Sequence, residues 1–396
     1  MTKVLILGGD SDHNLGDAAI FEAMCHALQV ADPGVEISAI SSLRMPGSSP
    51  GLARVLAPGP AGFSTLMEAA SRQDLIIIGG GGLFQDDDSR VKMPYWGLRT
   101  FLMGCANARV VGHSLGAGPL QHWESRLFAR IACASMSSIS VRDRFAHRWL
   151  ARCTSKPVDV VPDPAFMLHP APAQIADSII ADAGLPEGRV IGIALRKWFH
   201  SRGFLPHKLR VRLGLDNDSG ATEMTRVIGE LSLLVERLAR THDCGVLMMP
   251  SYDLAHEGDS AACQQVARNL HGRIPIGVAS IRSAAEYKAV TGRLRLLVSA
   301  RMHPLIFAVS MGTPVVGMAY NGKFDGMFEM LDMPHRLISL DEFRRGNPVP
   351  KIEQLIDEAI RDPVDYRQRA RLLADTCLAR TSALISDRMG AAVAPT

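Results

Sequence analysis

The sequence predicts an α/β protein built from two βαβ-type halves that face one another across a cleft. Three observations carry this. Short apolar runs of strand character alternate with segments of helical period along most of the 396 residues. Glycine-rich loops recur where strands end, within residues 8–20, 76–87 and 112–120. A proline-rich stretch, "HPAPAQIADSIIADAGLPEGR" (169–189), interrupts the alternation, which then resumes. Strands separated by helices imply right-handed βαβ units on a parallel sheet. The chain also exceeds a typical domain of about 100–200 residues.

In the first half, "KVLILGG" reads as a buried strand. "GDAAIFEAMCHALQ" follows, with Ile20, Met24 and Ala27/Leu28 on one helical face. "VEISAIS" is a strand, "FSTLMEAASR" a helix, and "DLIIIGGGG" a strand running into four glycines. "ARVVGHSLGAGP" is again a strand entering glycines, and a helix over about 123–135 leads to the short strands "SSISVRD" and "VDVVPDPAF". The segment 1–172 is therefore one Rossmann-like half, and 173–189 the crossing.

The second half, 190–396, restarts with "VIGIALR", a helix over 223–240 and "CGVLMMPSYD". "SAAEYKAVTG", "LRLLVSA", a helix from about 303 and "TPVVGMAY" follow, and helical segments close the chain from "PKIEQLIDEAI" onward. Residues 197–222 fit neither period and are rich in basic side chains. They read either as a mobile insertion beside the cleft or as a solvated loop. Ligands of such folds bind beyond the carboxyl ends of the strands, so the cleft is where function is expected.

Composition sets bounds on function. The chain is 47% hydrophobic and 21% charged with a net charge of +3, its Lys and Arg spread along the chain, which gives no global footprint for nucleic acid or for a strongly charged membrane surface. The N-terminus opens on a strand with no basic leader, no apolar run spans a membrane, and the seven scattered cysteines include no CxxC pair. The expected location is the cytoplasm. The sequence says nothing of oligomeric state.

The motifs carry two readings each. In "GGDSDHNLGDAAI", Asn14 and Asp17 are either helix caps or ligand contacts at a helix N-terminus that favours an anion. The loop is neither a P-loop nor GxGxxG. "IIIGGGGLFQDD" supplies Gly80, Gly81, Gly82 and Gln85, where four glycines exceed the needs of a turn and suit backbone N–H groups turned to a ligand. Arg142 and Asp143 in "SVRD" form a surface pair or cap a helix, and Asp163 between prolines is a turn acid. Asp253, His256, Glu257 and Asp259 match no metal-site spacing, so no metal is expected. Arg301 and His303 open a helix at a strand end, and Lys323 lies one βα unit on. Cations gathered at a helix N-terminus repel one another unless an anion is present, which points to a phosphate or carboxylate ligand.

These residues together resemble the polysaccharide pyruvyl transferase family. The matching landmarks, in order, are "NLGDAAI", "GGGGLFQD", "GAGPL", "SVRD", "DPAF" and "SARMHPLIFAVSMGTPVVGMAYNGKFDG", spanning about residues 3–335. The resemblance implies a glycosyltransferase-B-like architecture of two Rossmann-like domains. It implies transfer of the enolpyruvyl carbons of phosphoenolpyruvate to two sugar hydroxyls, giving a pyruvate ketal and phosphate. Phosphoenolpyruvate would be a co-substrate held by Arg142, Arg301 and His303, with Lys323 assisting and His303 as general acid. No cofactor is expected. The acceptor is left open among a sugar, a glycan and a lipid-linked saccharide, the last of which would bring the chain to a membrane surface peripherally. Departures from the family pattern are the loop before "NLGD", Met302 and Pro304 in "RMHP", the His113–Ser114 pair and the 197–222 insertion. Competing readings are a nucleotide-sugar glycosyltransferase of the same fold and a non-catalytic sugar- or anion-binding protein.

Overall fold

The protein is represented by a computed structural model, which describes residues 1–9, 13–40, 52–56, 63–87, 89–106, 109–186, 188–196, 219–252, 259–319, 322–339, 349–361 and 364–391. Residues 197–218 of the basic insertion, with Asp253, His256 and Glu257, lie outside the described residues.

The first half is a seven-stranded parallel sheet of β1 (Lys3–Leu7), β2 (Glu36–Ile40), β3 (Leu52–Leu56), β4 (Leu75–Gly79), β5 (Arg109–Leu115), β6 (Ser138–Val141) and β7 (Val158–Val160), in the order β3-β2-β1-β4-β5-β6-β7. The second is a six-stranded parallel sheet of β8 (Val190–Ala194), β9 (Gly245–Met248), β10 (Ile276–Val278), β11 (Leu296–Ser299), β12 (Val315–Ala319) and β13 (Leu337–Ser339), ordered β10-β9-β8-β11-β12-β13. Strand order therefore reverses between β1 and β4 and again between β8 and β11. The glycine loops after β1 and β4, and "SARMHP" after β11, sit at these two reversal points, where doubly wound sheets bind ligands.

Three strands escape the sequence reading, and all are sheet edges: β3, β10 and β13. β10 and β13 have three residues each, too few for a period to show. The helix Lys92–Cys105 is also missed, since Pro94, Gly97 and Gly104 mask its period.

The two halves share a core. Val4, Ile6, Ile20, Met24 and Leu28 join Leu305, Phe307 and Val309 of the helix Met302–Met311 in one buried cluster. A helix buried on all sides needs no charged face, which explains the uncharged sequence of that element. The chain's exit from the first half is fixed by Lys288, whose Nζ donates to the carbonyls of Phe166 (3.2 Å) and Leu168 (2.7 Å). The C-terminal helix Arg367–Ala391, grouped by sequence with residues 190–396, reaches back across the molecule. Its Ala370, Cys377, Thr381 and Ile385 are buried on one face, and Arg380 pairs with Asp159 near the end of β7.

Thr381 holds the His113–Ser114 segment of β5. Its hydroxyl donates to Cys377 O at 2.8 Å, so the same oxygen accepts from His113 Nε2 at 2.8 Å. Ser114 has a left-handed backbone (φ 50°), and its Oγ lies within bonding distance of the carbonyls of Val161 (2.9 Å) and Pro162 (2.7 Å). This departure from the family pattern is thus structural, and it shapes the segment that delivers Asp163.

Burial, helped by the charge of Arg380, holds His113 down at about 4, so the folded protein keeps it neutral where the unfolded chain takes up a proton. The unfolded state binds more protons between about pH 6.5 and pH 4, so stability falls as pH drops through that window. The loss should approach about 3 kcal/mol. Urea unfolding of wild type and His113→Gln at pH 7 and pH 5 checks this: the variant should lose much of the pH slope, and an unchanged slope would exclude His113 as its source.

Candidate functional site

The helix Leu15–Ala31 begins where β1 ends. Asn14 is its cap, with Oδ1 accepting from Gly16 N at 3.0 Å and Nδ2 donating to Asp17 Oδ2 at 3.1 Å. The same turn docks on the second half. Leu15 N donates to Ser251 O at 3.1 Å, and Asn14 forms an antiparallel bridge with Tyr252. Asp17 packs between two glycine loops: a Cβ on Gly9 or Gly81 would lie 2.3 or 2.6 Å from its carboxylate oxygens. Gly80 and Gly81 also require left-handed backbone (φ 77° and 69°), which a side chain would oppose. The loops after β4 and β5 brace each other, with Gly116 N donating to Gly81 O and Phe84 N to Gly116 O, both at 3.1 Å.

Beside them lies a buried charge cluster drawn from both halves. Arg142 Nη1 donates to Asp163 Oδ2 at 3.1 Å, and His303 Nε2 stands 3.7 Å from the same oxygen. Arg142 Nε is 3.4 Å from Asp143 Oδ2. Arg142, Asp143 and Asp163 are all almost wholly buried. Asp143 also caps the helix Arg144–Leu150, accepting from Ala146 N at 2.7 Å. Asp163 caps the short turn Pro164–Met167, accepting from Ala165 N at 3.0 Å. Burial alone would raise the Asp163 carboxyl, but His303, Arg142 and the Ala165 N–H outweigh it and hold the group at about 2. Burial raises Asp143, against the opposing pull of Arg142. The ring of His303 closes on the first half at Gly16, where a Cβ would fall 2.0 Å from Nδ1.

Two further cations flank this cluster. Lys323, at the start of the helix Lys323–Met330, donates to Gln85 Oε1 and lies 3.9 Å from Asp87 Oδ2. Its Nζ would be 3.1 Å from a Cβ on Gly82. Arg301 grips Asp259 with two nitrogens, at 3.0 Å (Nε to Oδ2) and 2.5 Å (Nη2 to Oδ1), and its guanidinium lies 5.3 Å from the Tyr252 ring centre. Asp259 is fully buried and lies 3.3 Å from both the backbone N–H and the hydroxyl of Ser251.

All ten residues singled out from sequence thus fall in one zone between the sheets. Lys323 meets Gln85 and Gly82. Gly81 meets Asp17, Asn14 holds Gly16, and Gly16 meets His303, which shares Asp163 with Arg142. Arg301 joins this zone through Tyr252, the bridge partner of Asn14.

What sequence reasoning missed is the counter-charge. It supposed that the cations need an external anion, whereas the chain supplies Asp163, Asp143, Asp87 and Asp259. Asp143 forms a buried pair, not a surface one, because the strand end that carries it is covered by the second half: a Cβ on Gly326 would lie 2.8 Å from its carboxylate. The only signal for Asp163 was its place at a strand end, and Asp259 gave none beyond weak metal-like company. Removing Arg301 would leave Asp259 uncompensated, which typically costs about 3–5 kcal/mol. Loss of function in an Arg301 variant therefore does not by itself identify a ligand contact.

Despite the pairing, two donors are unspent. Arg142 Nε, 3.4 Å from Asp143 Oδ2, and His303 Nε2, 3.7 Å from Asp163 Oδ2, are buried and make no well-formed hydrogen bond. Each unmade bond costs about 1–3 kcal/mol, a penalty that an incoming oxygen acceptor would relieve. The cluster can therefore offer nitrogens to an oxyanion beside a fixed carboxylate.

Gly16→Ala tests the seam. The new methyl must displace the His303 ring, and overpacking of this kind typically costs about 1–3 kcal/mol. The expected result is a cooperative fold, modestly destabilised, in which the imidazole NMR signals of His303 shift while those of His113 do not. Unmoved His303 signals would show that the ring does not pack on Gly16.

The profile of the polysaccharide pyruvyl transferases matches residues 14–229 and 254–322. No curated protein matches the chain by sequence. Among solved structures, the UDP-GlcNAc 2-epimerase of Methanocaldococcus jannaschii superposes with a TM-score of 0.59 at 9% identity, covering 94% of this chain and 99% of its own. The UDP-GlcNAc 2-epimerase of Neisseria meningitidis, in a structure bound to UDP-GlcNAc, gives 0.58 at 10% identity over 98% and 99%. Sucrose-phosphate synthase of Thermosynechococcus elongatus gives 0.58 at 14% over 99% and 100%. At such identities these likenesses speak for the fold alone, and it is the two-domain, glycosyltransferase-B-like one. The profile covers most of the chain, from the Asn14 cap to residue 322, just before Lys323, and on that ground the chain belongs to the polysaccharide pyruvyl transferase family.

Proposed function

We propose that the protein transfers the enolpyruvyl group of phosphoenolpyruvate to a sugar of a glycan or glycan precursor, forming a pyruvate ketal and releasing phosphate. The observation that carries this reading is the Arg142–Asp163–His303 cluster, in which two buried nitrogens from opposite halves make no well-formed hydrogen bond. Phosphoenolpyruvate brings the oxygens, as a carboxylate and a phosphate.

The steps balance as follows. His303 gives a proton to the methylene carbon, and positive charge develops at the adjacent carbon that bears the phosphate ester oxygen. A sugar hydroxyl attacks that carbon and its proton returns to His303. Phosphate then departs with the bonding electrons, and a second hydroxyl closes the ring as its proton leaves with phosphate. Asp163, ionised at any working pH, offsets positive charge on the imidazole throughout. Arg142 and Lys323 offer N–H groups to the donor's oxygens, and Arg301 keeps the helix start of His303 in place through Asp259. No carbon changes its net oxidation level by an external agent, so the scheme calls for no redox cofactor.

The reading places the enzyme in the cytoplasm. All seven cysteines are free thiols, as a reducing compartment allows. Among the described residues no helix is long and apolar enough to cross a membrane.

The test incubates the protein with phosphoenolpyruvate and candidate acceptors, following phosphate release and product mass. The expected product gains one pyruvate less one water. His303→Ala should lower kcat by about 10²–10⁴-fold, with a smaller change in KM for phosphoenolpyruvate. Nucleotide release from a nucleotide sugar, without any reaction of phosphoenolpyruvate, would assign the protein to glycosyl transfer instead.

A further inference from the structure

The helices Lys92–Cys105 and Trp123–Ser135 follow β4 and β5 and pack side by side. A Cβ on Gly97 would lie 2.6 Å from Phe128 O, and one on Gly104 3.2 Å from Ser135 Cβ. Both pairs have the same sequence offset, so the helices run parallel and present one continuous outer surface. Their inner faces join Leu5, Leu7, Ile76 and Ile78, whereas the alternate residues Val4, Ile6 and Ile77 belong to the core built with the helix Leu15–Ala31. The paired helices therefore cover the face of the first sheet opposite the helix Leu15–Ala31.

That outer surface is apolar and aromatic. Trp123 is 69% exposed, and Tyr95, Leu98, Phe101 and Leu127 are between 42% and 55% exposed. Tyr95, Leu98 and Phe101 recur every three residues, and Trp123 and Leu127 stand one turn apart, so each helix contributes a stripe. Basic side chains border it. Arg126 and Arg130 are exposed on one helix, and Arg99 stacks on Tyr95 and Trp96 at 5.6 and 5.3 Å on the other. Glu124 is the sole acid in the two helices, and Arg90 pairs with it.

We infer that this surface docks on an anionic phospholipid bilayer. Apolar and aromatic side chains enter the interfacial layer, where Trp and Tyr are at home, while a rim of arginines meets phosphate headgroups. A second copy of the chain fits less well, because the surface offers no free carboxylate to receive a partner's arginines: Glu124, the sole acid of the two helices, is already paired with Arg90. Docking also orients the cleft. Each helix runs antiparallel to its strand, so Tyr95 and Trp123 stand at the carboxyl end of the sheet. The loop that carries Gln85 anchors both helix starts, through Asp86 Oδ2 on His122 N (2.9 Å) and through the Arg90–Glu124 pair. An acceptor held at the membrane would thus be presented beside Lys323 and Gln85. The docking itself is independent of the donor chemistry.

Flotation of the full chain with liposomes tests this directly. Vesicles of phosphatidylcholine with phosphatidylglycerol should retain the protein, with a blue shift of tryptophan emission. Vesicles of phosphatidylcholine alone should retain roughly tenfold less. The pair Trp123→Ser/Leu127→Ser and the single change Arg130→Glu should each weaken retention by roughly tenfold, without moving the circular-dichroism spectrum or melting point. Should a variant misfold, wild type alone decides, since salt that shortens the Debye length to about 3 Å at 1 M must weaken retention. Failure to float, equal flotation on neutral lipid, or a dimer by light scattering that the variants dissolve would overturn the inference, the last by giving the surface to a second copy.

Discussion

Asp163 is a buried carboxylate gripped by Arg142 from its own half of the chain and faced by His303 from the other. An isolated charge of this kind would be very costly to bury, and it is tolerated because its partners are fixed by independent structure. β6 delivers Arg142, the seam helix delivers His303, and Ser114 holds the carbonyls just before Asp163. The carboxylate therefore stays ionised, with a group value near 2, and acts as a permanent negative charge inside the cleft. Breaking such a pair is far more damaging than its net worth suggests, because the survivor is left uncompensated.

The same logic repeats around the cleft. Arg301 has Asp259 and Lys323 has Asp87, so each of these cations is paired with a carboxylate of this chain. The pairing sets positions of side chains that would otherwise repel. Glycine does the complementary work, letting Asp17 and the His303 ring approach the backbone more closely than any Cβ would permit. Because the two halves share one apolar core through the helix Met302–Met311, this geometry belongs to the whole chain and to neither half alone.

Much of this was legible in the sequence. The alternation of apolar runs with helical periods reveals both parallel sheets, and the glycine loops mark the strand ends where order reverses. The motif residues Asn14, Asp17, Gln85, Arg142, Arg301, His303 and Lys323 all reach the same cleft. Three kinds of feature were not legible. Edge strands such as β10 and β13 are too short to leave a period. Ion pairs such as Arg301 with Asp259 join positions far apart in sequence, and a single sequence holds no trace of that distance. The return of the C-terminal helix to the first half depends on Thr381, Cys377 and Ile385 matching a surface formed by residues near Ala27 and His113.

The cleft balances its own charges while leaving two buried nitrogens, Arg142 Nε and His303 Nε2, without a well-formed hydrogen bond. The central claim is that Asp163 and His303 act as one unit. A double-mutant cycle on turnover with phosphoenolpyruvate, using Asp163→Asn, His303→Gln and the pair together, measures this coupling. Residues that act as a unit are non-additive, so the double variant should be no slower than the worse single one. If the two losses multiply instead, Asp163 and His303 act independently and the account of the cluster fails.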